Sequence, residues 1–286
     1  MGKLTGTIDM HIHGSPDIVP RKLSDIEIVQ DAINAEMSAV VLKTHLGSTV
    51  ERALLVDEIT GHKIRVLGGI ALNSFIGGFN ILAVKAALLM GAKIVWMPTF
   101  TAKTHLDYER KNNKSVNTLS ILCKNLTGLT VLKENGNIKD KVIEILKLVS
   151  EKNIVLGCGH IGIYESKKLI PIAKQCGVQK IIYNHPNNPI NPVSLEDQKW
   201  LVNQHVLLER CIVDIIQGLT TWEAVIAEIR TTGIENNIIS TDLGQFKNMT
   251  PVAGMELAYD KLVEYGFTEN EIQLLISEDP KRMLNI

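Results

Sequence analysis

The sequence predicts an α/β protein, a single (β/α)₈ barrel of the TIM type with an insertion after strand four, spanning residues 1–286. Three observations predict this fold. Eight short apolar runs rich in Val and Ile alternate with amphipathic stretches along the chain. The starts of these runs are mostly about 26 to 32 residues apart, the length of one strand-plus-helix unit. Several amphipathic stretches end in glycine before the next run, as many helices do.

The eight runs are interpreted as buried strands because they show little polar alternation and are mostly bounded by Gly, Asn or Pro. In order they span residues 7–11, 39–44, 65–72, 93–98, 153–158, 180–184, 206–209 and 237–241. An open doubly wound sheet is the alternative architecture. That fold usually has a glycine-rich turn after its first strand, whereas the turn here reads HIHGSPD, so the closed barrel is favoured.

Helices are predicted between the strands. Ser24-Asp25-Ile26-Glu27 has the pattern of a capping box, which predicts a helix from there to about residue 37. Further helices are predicted over residues 78–90, 138–151, 165–176, 194–204, 220–231 and 251–265. The glycines expected to close helix ends in a left-handed conformation are Gly61, Gly91, Gly177 and Gly233.

The regular spacing breaks once, between strands four and five, and residues 100–137 are interpreted as an insertion. It contains the loop-like segment KNNKS at 111–115 and a short potential strand at 129–132. Because it leaves from the carboxyl end of a strand, where barrels build their sites, we expect it to lie over the active-site rim and to help set the substrate range. A solvated surface excursion and an oligomer contact are the alternatives.

Composition argues against several classes of protein. The net charge is −1 and no basic block occurs, so nothing favours a nucleic-acid partner. No apolar run reaches the length of a membrane span, and neither a secretory signal nor a myristoylation signal is recognisable. The four scattered cysteines predict reduced, mostly buried thiols. We therefore expect a cytoplasmic protein that acts on a small molecule, and we leave a homo-oligomer open.

Histidines collect at one end of the predicted barrel. Five of the eight lie at or just past the carboxyl ends of strands one, two, five and six, namely His11, His13, His45, His160 and His185. In a parallel barrel these ends share one rim, which Asp242 also reaches after strand eight. The i, i+2 spacing of His11 and His13 places both on one face of strand one, where two imidazoles can bind one metal ion.

The remaining histidines, His62, His105 and His205, fall in a helix end, the insertion and a loop, and are interpreted as having no part in the site. The set at the rim predicts a metal site. The structural alternative is a group of hydrogen-bonded core histidines.

The rim residues resemble the ligand set of the amidohydrolase superfamily, with HIH on strand one, one histidine each on strands five and six, and an aspartate on strand eight. The segments Asn73…Gly77-Gly78, Trp96-Met97-Pro98-Thr99 and Ser240-Thr241-Asp242-Leu243-Gly244 also resemble an uncharacterised bacterial amidohydrolase-like group. The resemblance covers nearly the whole chain in strand order but rests on few residues. It implies zinc, or another divalent metal such as manganese, iron or nickel, bound by His11, His13, His160, His185 and Asp242.

One departure from that pattern concerns the number of ions. Binuclear members of the superfamily commonly bridge two metals with a carboxylated lysine or a glutamate near strand four, whereas strand four here ends in WMPT. Lys43 and Glu134 are other sources of a bridging ligand, although neither matches in position. We expect one tightly bound ion and leave a second open. The polymerase-and-histidinol-phosphatase barrels also begin with His-x-His but usually close with Asp-x-His, so they match less well.

The resemblance implies a metal-dependent hydrolase in which the ion lowers the pKa of a bound water and Asp242 takes the proton. An amide or cyclic amide C–N bond is the leading target. Ester, lactone or phosphotriester hydrolysis, and metal-dependent decarboxylation or deamination, are alternatives, and a non-catalytic metal-binding barrel is the least favoured. The candidate substrate contacts at the rim are Lys43, His45, Asn73 and Thr99.

Overall fold

The computed structural model describes residues 2–112 and 118–286. Within these residues eight strands form one parallel sheet whose order follows the sequence. The strands are β1 Ile8–Ile12, β2 Ala39–Leu42, β3 Arg65–Ala71, β4 Ile94–Trp96, β5 Val155–Gly157, β6 Ile181–Asn184, β7 Leu207–Cys211 and β8 Asn237–Ser240. Backbone hydrogen bonds from Asp242 to His11 and from His13 to Leu243 join the end of β8 to β1. The predicted (β/α)₈ barrel is confirmed.

Helices alternate with the strands and cover the outside of the barrel. Their bounds are α1 Asp25–Asn34, α2 Val50–Ile59, α3 Ile81–Leu89, α4 Lys103–Lys111, α5 Thr118–Cys123, α6 Asp140–Glu151, α7 Ile163–Gln175, α8 Leu195–Asn203, α9 Ile212–Ile216, α10 Trp222–Thr232, α11 Pro251–Glu264, α12 Glu269–Gln273 and α13 Asp279–Leu284. Short 3₁₀ turns lie at Ser74–Ile76 and Ile234–Asn236, and one π-helical turn at Leu274–Glu278.

Local signals in the sequence act as expected at most helix ends. Ser24 caps α1 in a reciprocal capping box with Glu27. All four glycines expected to close helix ends adopt positive φ angles. The sequence analysis expected a helix end at Gly61 but gave no bounds for this helix, α2, because it has apolar residues on both its buried and its exposed faces, which hides the helical period. The potential strand at 129–132 is wrong, since only isolated bridges form at Leu129 and Leu132.

The barrel interior is packed and α13 contributes to it. Met10, Val41 and Trp96 fill it with other fully or nearly fully buried side chains, and Met283 and Leu284 of α13 join the same cluster. Two larger apolar clusters lie between the strands and the surrounding helices. Barrels of this kind place their sites at the carboxyl ends of the strands. Among the described residues, no helix combines the length and the apolar character that crossing a bilayer requires.

The segment between β4 and α6 contains α4 and α5, and it contacts α7. The carboxylate of Glu165 accepts hydrogen bonds from the Val131 amide at 2.7 Å and from the Thr130 hydroxyl at 2.8 Å. Residues 113–117, which include part of the KNNKS segment, lie outside the described residues.

Candidate metal centre

Side chains from the carboxyl ends of β1, β2, β5, β6 and β8 line one cavity of about 140 Å³. They include His13, Lys43, His45, His160, His185 and Asp242. The strands bring these residues together because each follows the end of its strand by one to three residues and all strands run in one direction. The predicted site residues that contribute here are therefore neighbours in space.

Asp242 lies at the centre of this group. Its Oδ1 atom is 2.9 Å from the Nε2 atom of His11 and 2.9 Å from that of His13, and its Oδ2 atom is 3.5 Å from Nε2 of His185. The histidine side chains are almost fully buried, whereas 13% of the Asp242 side chain is exposed. One carboxylate thus joins three imidazoles and remains accessible from the cavity.

The backbone around Asp242 is held in an uncommon conformation. Asp242 has φ 49° and His185 has φ 55°, both in the left-handed region that non-glycine residues rarely adopt. Asp9, fully buried beneath the site, accepts hydrogen bonds from the amides of His11 and Thr241, each at 3.1 Å, and from the Thr241 hydroxyl at 2.5 Å. Asp9 therefore links β1 to the end of β8 just below the candidate metal ligands.

The electrostatics of the site favour neutral imidazoles in three places. Burial holds the pKa values of His13, His45 and His160 well below the usual range, so these rings are in the form that binds metal. Burial also lowers the pKa of His11, but the Asp242 and Glu209 carboxylates outweigh it and raise that pKa to about 9.

Asp242 is the anionic partner of His11. Burial alone raises the pKa of Asp242, yet the His11 charge outweighs burial and holds the pKa well below its usual value. The His11 nitrogen and the negatively charged Asp242 oxygen, 2.9 Å apart, thus meet at a place that a divalent cation can occupy.

The donor set fits a divalent transition metal. Ligand atoms about 2.0–2.1 Å from a tetrahedral zinc ion lie about 3.3 Å apart. The separations of 2.9, 2.9 and 3.5 Å between Asp242 oxygens and the three Nε2 atoms bracket that value. Potential ligand atoms of His11, His185, Cys211 and Asp242 all lie within 4.8 Å of one another. Cys211 is thus a further potential ligand, although burial raises the pKa of its thiol well above the usual value.

Two buried carboxylates that the sequence analysis did not single out lie behind the histidines. Glu209 of β7 is 3.3 Å from Nδ1 of His11 and accepts a hydrogen bond from Asn184 at 2.5 Å. Asp214 of α9 is 3.3 Å from Nδ1 of His185 and accepts one from Asn188 at 2.6 Å. Metal-binding histidines usually have such a partner, which fixes the ring and leaves the other nitrogen to the ion. An acid inside the apolar run LLERC was the one available signal for Glu209.

Lys43 lies between the metal-binding residues and the barrel core. Its Nζ atom is 2.7 Å from Nε2 of His11 and 5.4 Å from the centre of the Trp96 ring, and the side chain is almost fully buried. Burial lowers the pKa of Lys43. Glu134, the other residue considered for a bridging role, is exposed and does not line the cavity.

Asn73 and Thr99 lie behind His45 instead of lining the cavity. The Thr99 hydroxyl is 2.9 Å from Nδ1 of His45, and the Asn73 amide donates to that hydroxyl at 2.6 Å and to the His45 carbonyl at 2.9 Å. Both side chains are fully buried. Both residues therefore contact His45, and their direct contact with a substrate stays a prediction.

His105, which was interpreted as lying outside the site, contacts it. The Nδ1 atom of His105 is 2.7 Å from Nδ1 of His160, and the two rings are nearly parallel. The prediction missed it because His105 lies on α4, inside the insertion, where no strand register places a side chain.

Comparisons with known proteins extend over most of the chain. Residues 6–209 match the model of a family described as "Family of unknown function (DUF6282)". No curated protein matches the sequence. Among solved structures, an amidohydrolase from Pseudomonas aeruginosa is 14% identical, with a TM-score of 0.65 and coverage of 98% of this chain and 96% of that one.

Two further solved structures have the same fold. A dihydroxybenzoic acid decarboxylase from Polaromonas sp. JS666, with bound manganese and 2-nitroresorcinol, is 12% identical, with a TM-score of 0.57 and coverage of 98% of this chain and 97% of that one. A phosphotriesterase homology protein from Escherichia coli, with phosphate in its active site, is 10% identical, with a TM-score of 0.58 and coverage of 98% and 99%. The chain belongs to the family of unknown function DUF6282 and has the barrel fold of the amidohydrolase superfamily.

Proposed function

We propose that the chain is a metal-dependent hydrolase that uses one divalent ion, zinc or a related metal, to cleave an amide or cyclic amide C–N bond of a small molecule. The observation that carries the proposal is the convergence of three buried imidazoles on the partly exposed carboxylate of Asp242. A structural metal site usually has all of its ligands closed off, whereas this one opens to a cavity.

The chain's own residues supply the remaining chemistry. When bound, the ion provides an activated water at neutral pH and polarises the scissile bond. The Asp242 carboxylate would accept a proton from the attacking water and return it to the leaving group. Lys43 contacts the same His11 nitrogen as Asp242 and lines the cavity, so its ammonium group can offset negative charge that develops on a substrate oxygen. His45, whose ring is fixed through Thr99, lines the cavity as a neutral hydrogen-bonding group.

The size of the cavity supports a small substrate. Its volume of about 140 Å³ is close to that of an engineered cavity that holds benzene, about 150 Å³. The solved structures of similar fold contain ligands of this scale, including 2,6-dihydroxybenzoate, 2-nitroresorcinol and phosphate. A substrate with one ring or one short acyl chain is therefore expected.

Metal analysis followed by a substrate panel tests the proposal. The protein is purified without added metal, its metal content is measured, and hydrolysis of amides, cyclic amides, lactones and phosphotriesters is followed with the wild type and with His11→Ala. We expect close to one ion per chain, turnover of at least one C–N substrate, and loss of both in His11→Ala. A wild type that binds no divalent ion would refute the proposal.

Decarboxylation is the second candidate, because several solved structures of this fold are dihydroxybenzoate decarboxylases. A hydroxylated benzoate in the panel, with release of CO₂ as the readout, separates the two reactions. Release of CO₂ without hydrolysis of any C–N substrate would favour the decarboxylase.

A further inference from the structure

His105 and His160 form a direct contact between the insertion and the candidate metal centre. Their Nδ1 atoms are 2.7 Å apart, and both side chains are largely buried. Two imidazole nitrogens at this distance need one proton between them, because two lone pairs or two N–H groups would repel each other. One ring therefore donates and the other accepts, and the direction sets the tautomer of both.

Glu109 decides the direction. One turn after His105 on α4, its Oε1 atom is 3.7 Å from Nε2 of His105 and accepts a hydrogen bond from the Ser120 hydroxyl at 2.7 Å. The carboxylate favours a proton on Nε2 of His105 and disfavours a lone pair there. With its proton on Nε2, neutral His105 has a lone pair on Nδ1. His160 must then donate its own Nδ1 proton to His105, which leaves a lone pair on Nε2 of His160.

The position of α4 is fixed by a second contact on the neighbouring residue. The Thr104 hydroxyl accepts a hydrogen bond at 3.1 Å from the amide of Gly162, the residue that caps the start of α7. Thr104 and His105 thus hold the first turn of α4 against the loop that carries His160. Phe100, whose ring centre is 4.4 Å from that of His105, packs against the same ring.

We propose that His105, supported by Glu109, is a positioning residue that fixes the tautomer of His160, so that Nε2 of His160 faces the cavity as a lone-pair donor to the metal ion. This inference rests on the proposed function. It assigns the insertion a part in metal binding, in addition to the substrate selection expected from its place in the chain. Carboxylates behind His11 and His185 perform the same task for those rings, and His105 performs it for His160.

The test is the zinc affinity of His105 variants, measured by competition with a chromogenic chelator. His105→Ala removes the acceptor, and loss of such a partner typically weakens metal binding by about 10- to 100-fold. His105→Asn places its Oδ1 atom where the imidazole has Nδ1, so it can still accept the His160 proton and should recover most of the affinity. Glu109→Gln can donate to His105 and reverse the tautomers, so we expect weaker zinc binding from a substitution that does not touch His160.

The matched control is His62→Ala, which removes an exposed histidine that pairs with Asp57. Its zinc affinity should equal that of the wild type, and thermal melting checks that each variant is folded. If the wild type binds zinc and all three test variants bind it equally well, His105 has no positioning role. If His105→Asn is as weak as His105→Ala, the effect is one of packing and the tautomer assignment is wrong. A wild type without zinc affinity would overturn this inference together with the proposed function.

Discussion

Asp242 is the residue on which the proposed chemistry depends most. Its carboxylate contacts three imidazoles and is the most accessible group among them. In Asp242→Asn the side chain keeps its shape and can offer an oxygen to the ion, but it cannot accept a proton at neutral pH. We expect kcat to fall by about 10²- to 10⁴-fold if proton transfer is lost. Metal content should fall much less, because the histidines remain.

The measurements for Asp242 are kcat and metal per chain, made side by side for each variant. His11→Ala and His13→Ala serve as controls and should lose metal and activity together. Near-normal kcat in a metal-loaded Asp242→Asn variant would show that the carboxylate is only a ligand or an anchor for its loop.

The histidines of the rim could be predicted from sequence, whereas their partners could not. His11, His13, His160 and His185 each follow an apolar run, so strand order alone brings them to one rim. Glu209 contacts His11 although β8 lies between their strands, and Asp214 follows β7 and contacts His185 at the end of the neighbouring β6. No local pattern encodes that contact. Asn73 and Thr99 follow their strands as the histidines do, but strand position does not tell whether a side chain faces the cavity or lies behind another ring.

At the scale of elements, the loop after β8 packs against the end of β1 and so determines the position of His13. Gly244 has φ 137°, and a Cβ atom there would lie 1.7 Å from the carbonyl oxygen of His13. Gly244→Ala should therefore push this loop away from β1 and displace His13 from Asp242. We expect weaker zinc binding and a lower melting temperature.

The control for Gly244→Ala is Gly266→Ala. Gly266 also has a positive φ, of 78°, but nothing lies within 4 Å of the position a Cβ atom would take. This variant should be destabilised by only about 1–2 kcal/mol, the cost of alanine in a left-handed conformation. Its zinc affinity should not change. Equal zinc affinities for both variants would show that the loop tolerates the added methyl group without moving His13.

The insertion is the element whose structure the sequence predicted least well, and its expected role in substrate selection stays a prediction. The expected strand is replaced by isolated bridges and two helices, because the pattern of residues 100–137 has no clear period. Phe100, Leu106, Leu119 and Cys123 form a small apolar cluster that holds α4 and α5 together. None of these four residues belongs to the KNNKS segment, so the cluster and the segment can be tested separately.

Deleting the tip of the insertion, residues 111–115, should alter the relative kcat/KM values of different substrates more than the melting temperature. The reason is that the apolar cluster and the His105 contact remain, while the part expected to reach over the cavity is shortened. Positions 113–115 lie outside the described residues. If the deletion leaves the kcat/KM values of all substrates in the same ratio, the tip is only a surface excursion.

At the scale of the whole molecule, α2 and α3 leave an unusually apolar outer surface. Leu82 and Leu89 of α3 are 75% and 81% exposed, and α2 exposes Leu54, Leu55 and Ile59. Helix α6, which packs beside α3, instead exposes charged residues such as Lys141, Glu144 and Lys147. Exposed apolar surfaces of this kind usually mark an interaction site.

We expect this surface to bind a second copy of the chain, because the part formed by α2 and the part formed by α3 carry complementary charges. A groove between α3 and α6 is lined by leucines, including Leu89, and flanked by Lys85 and Lys152. The apolar face of α2 is flanked by Glu51 and Glu58, both exposed. In a two-fold dimer, α2 of each copy can pack in the groove of the other, and each glutamate then meets a lysine.

Leu89→Glu tests this association, measured by sedimentation of wild type and variant over a wide range of concentrations. The substitution places a carboxylate in the centre of the apolar groove, where a stable dimer buries about 800 Å² per partner. We expect a dimeric wild type and a monomeric variant with the same melting profile at low concentration, since the side chain is exposed in a single chain. Val263→Glu, an equivalent change at an exposed residue of α11, should remain dimeric. A wild type that stays monomeric at every concentration would refute self-association, and a dimer that survives Leu89→Glu would place the interface on another face of the barrel.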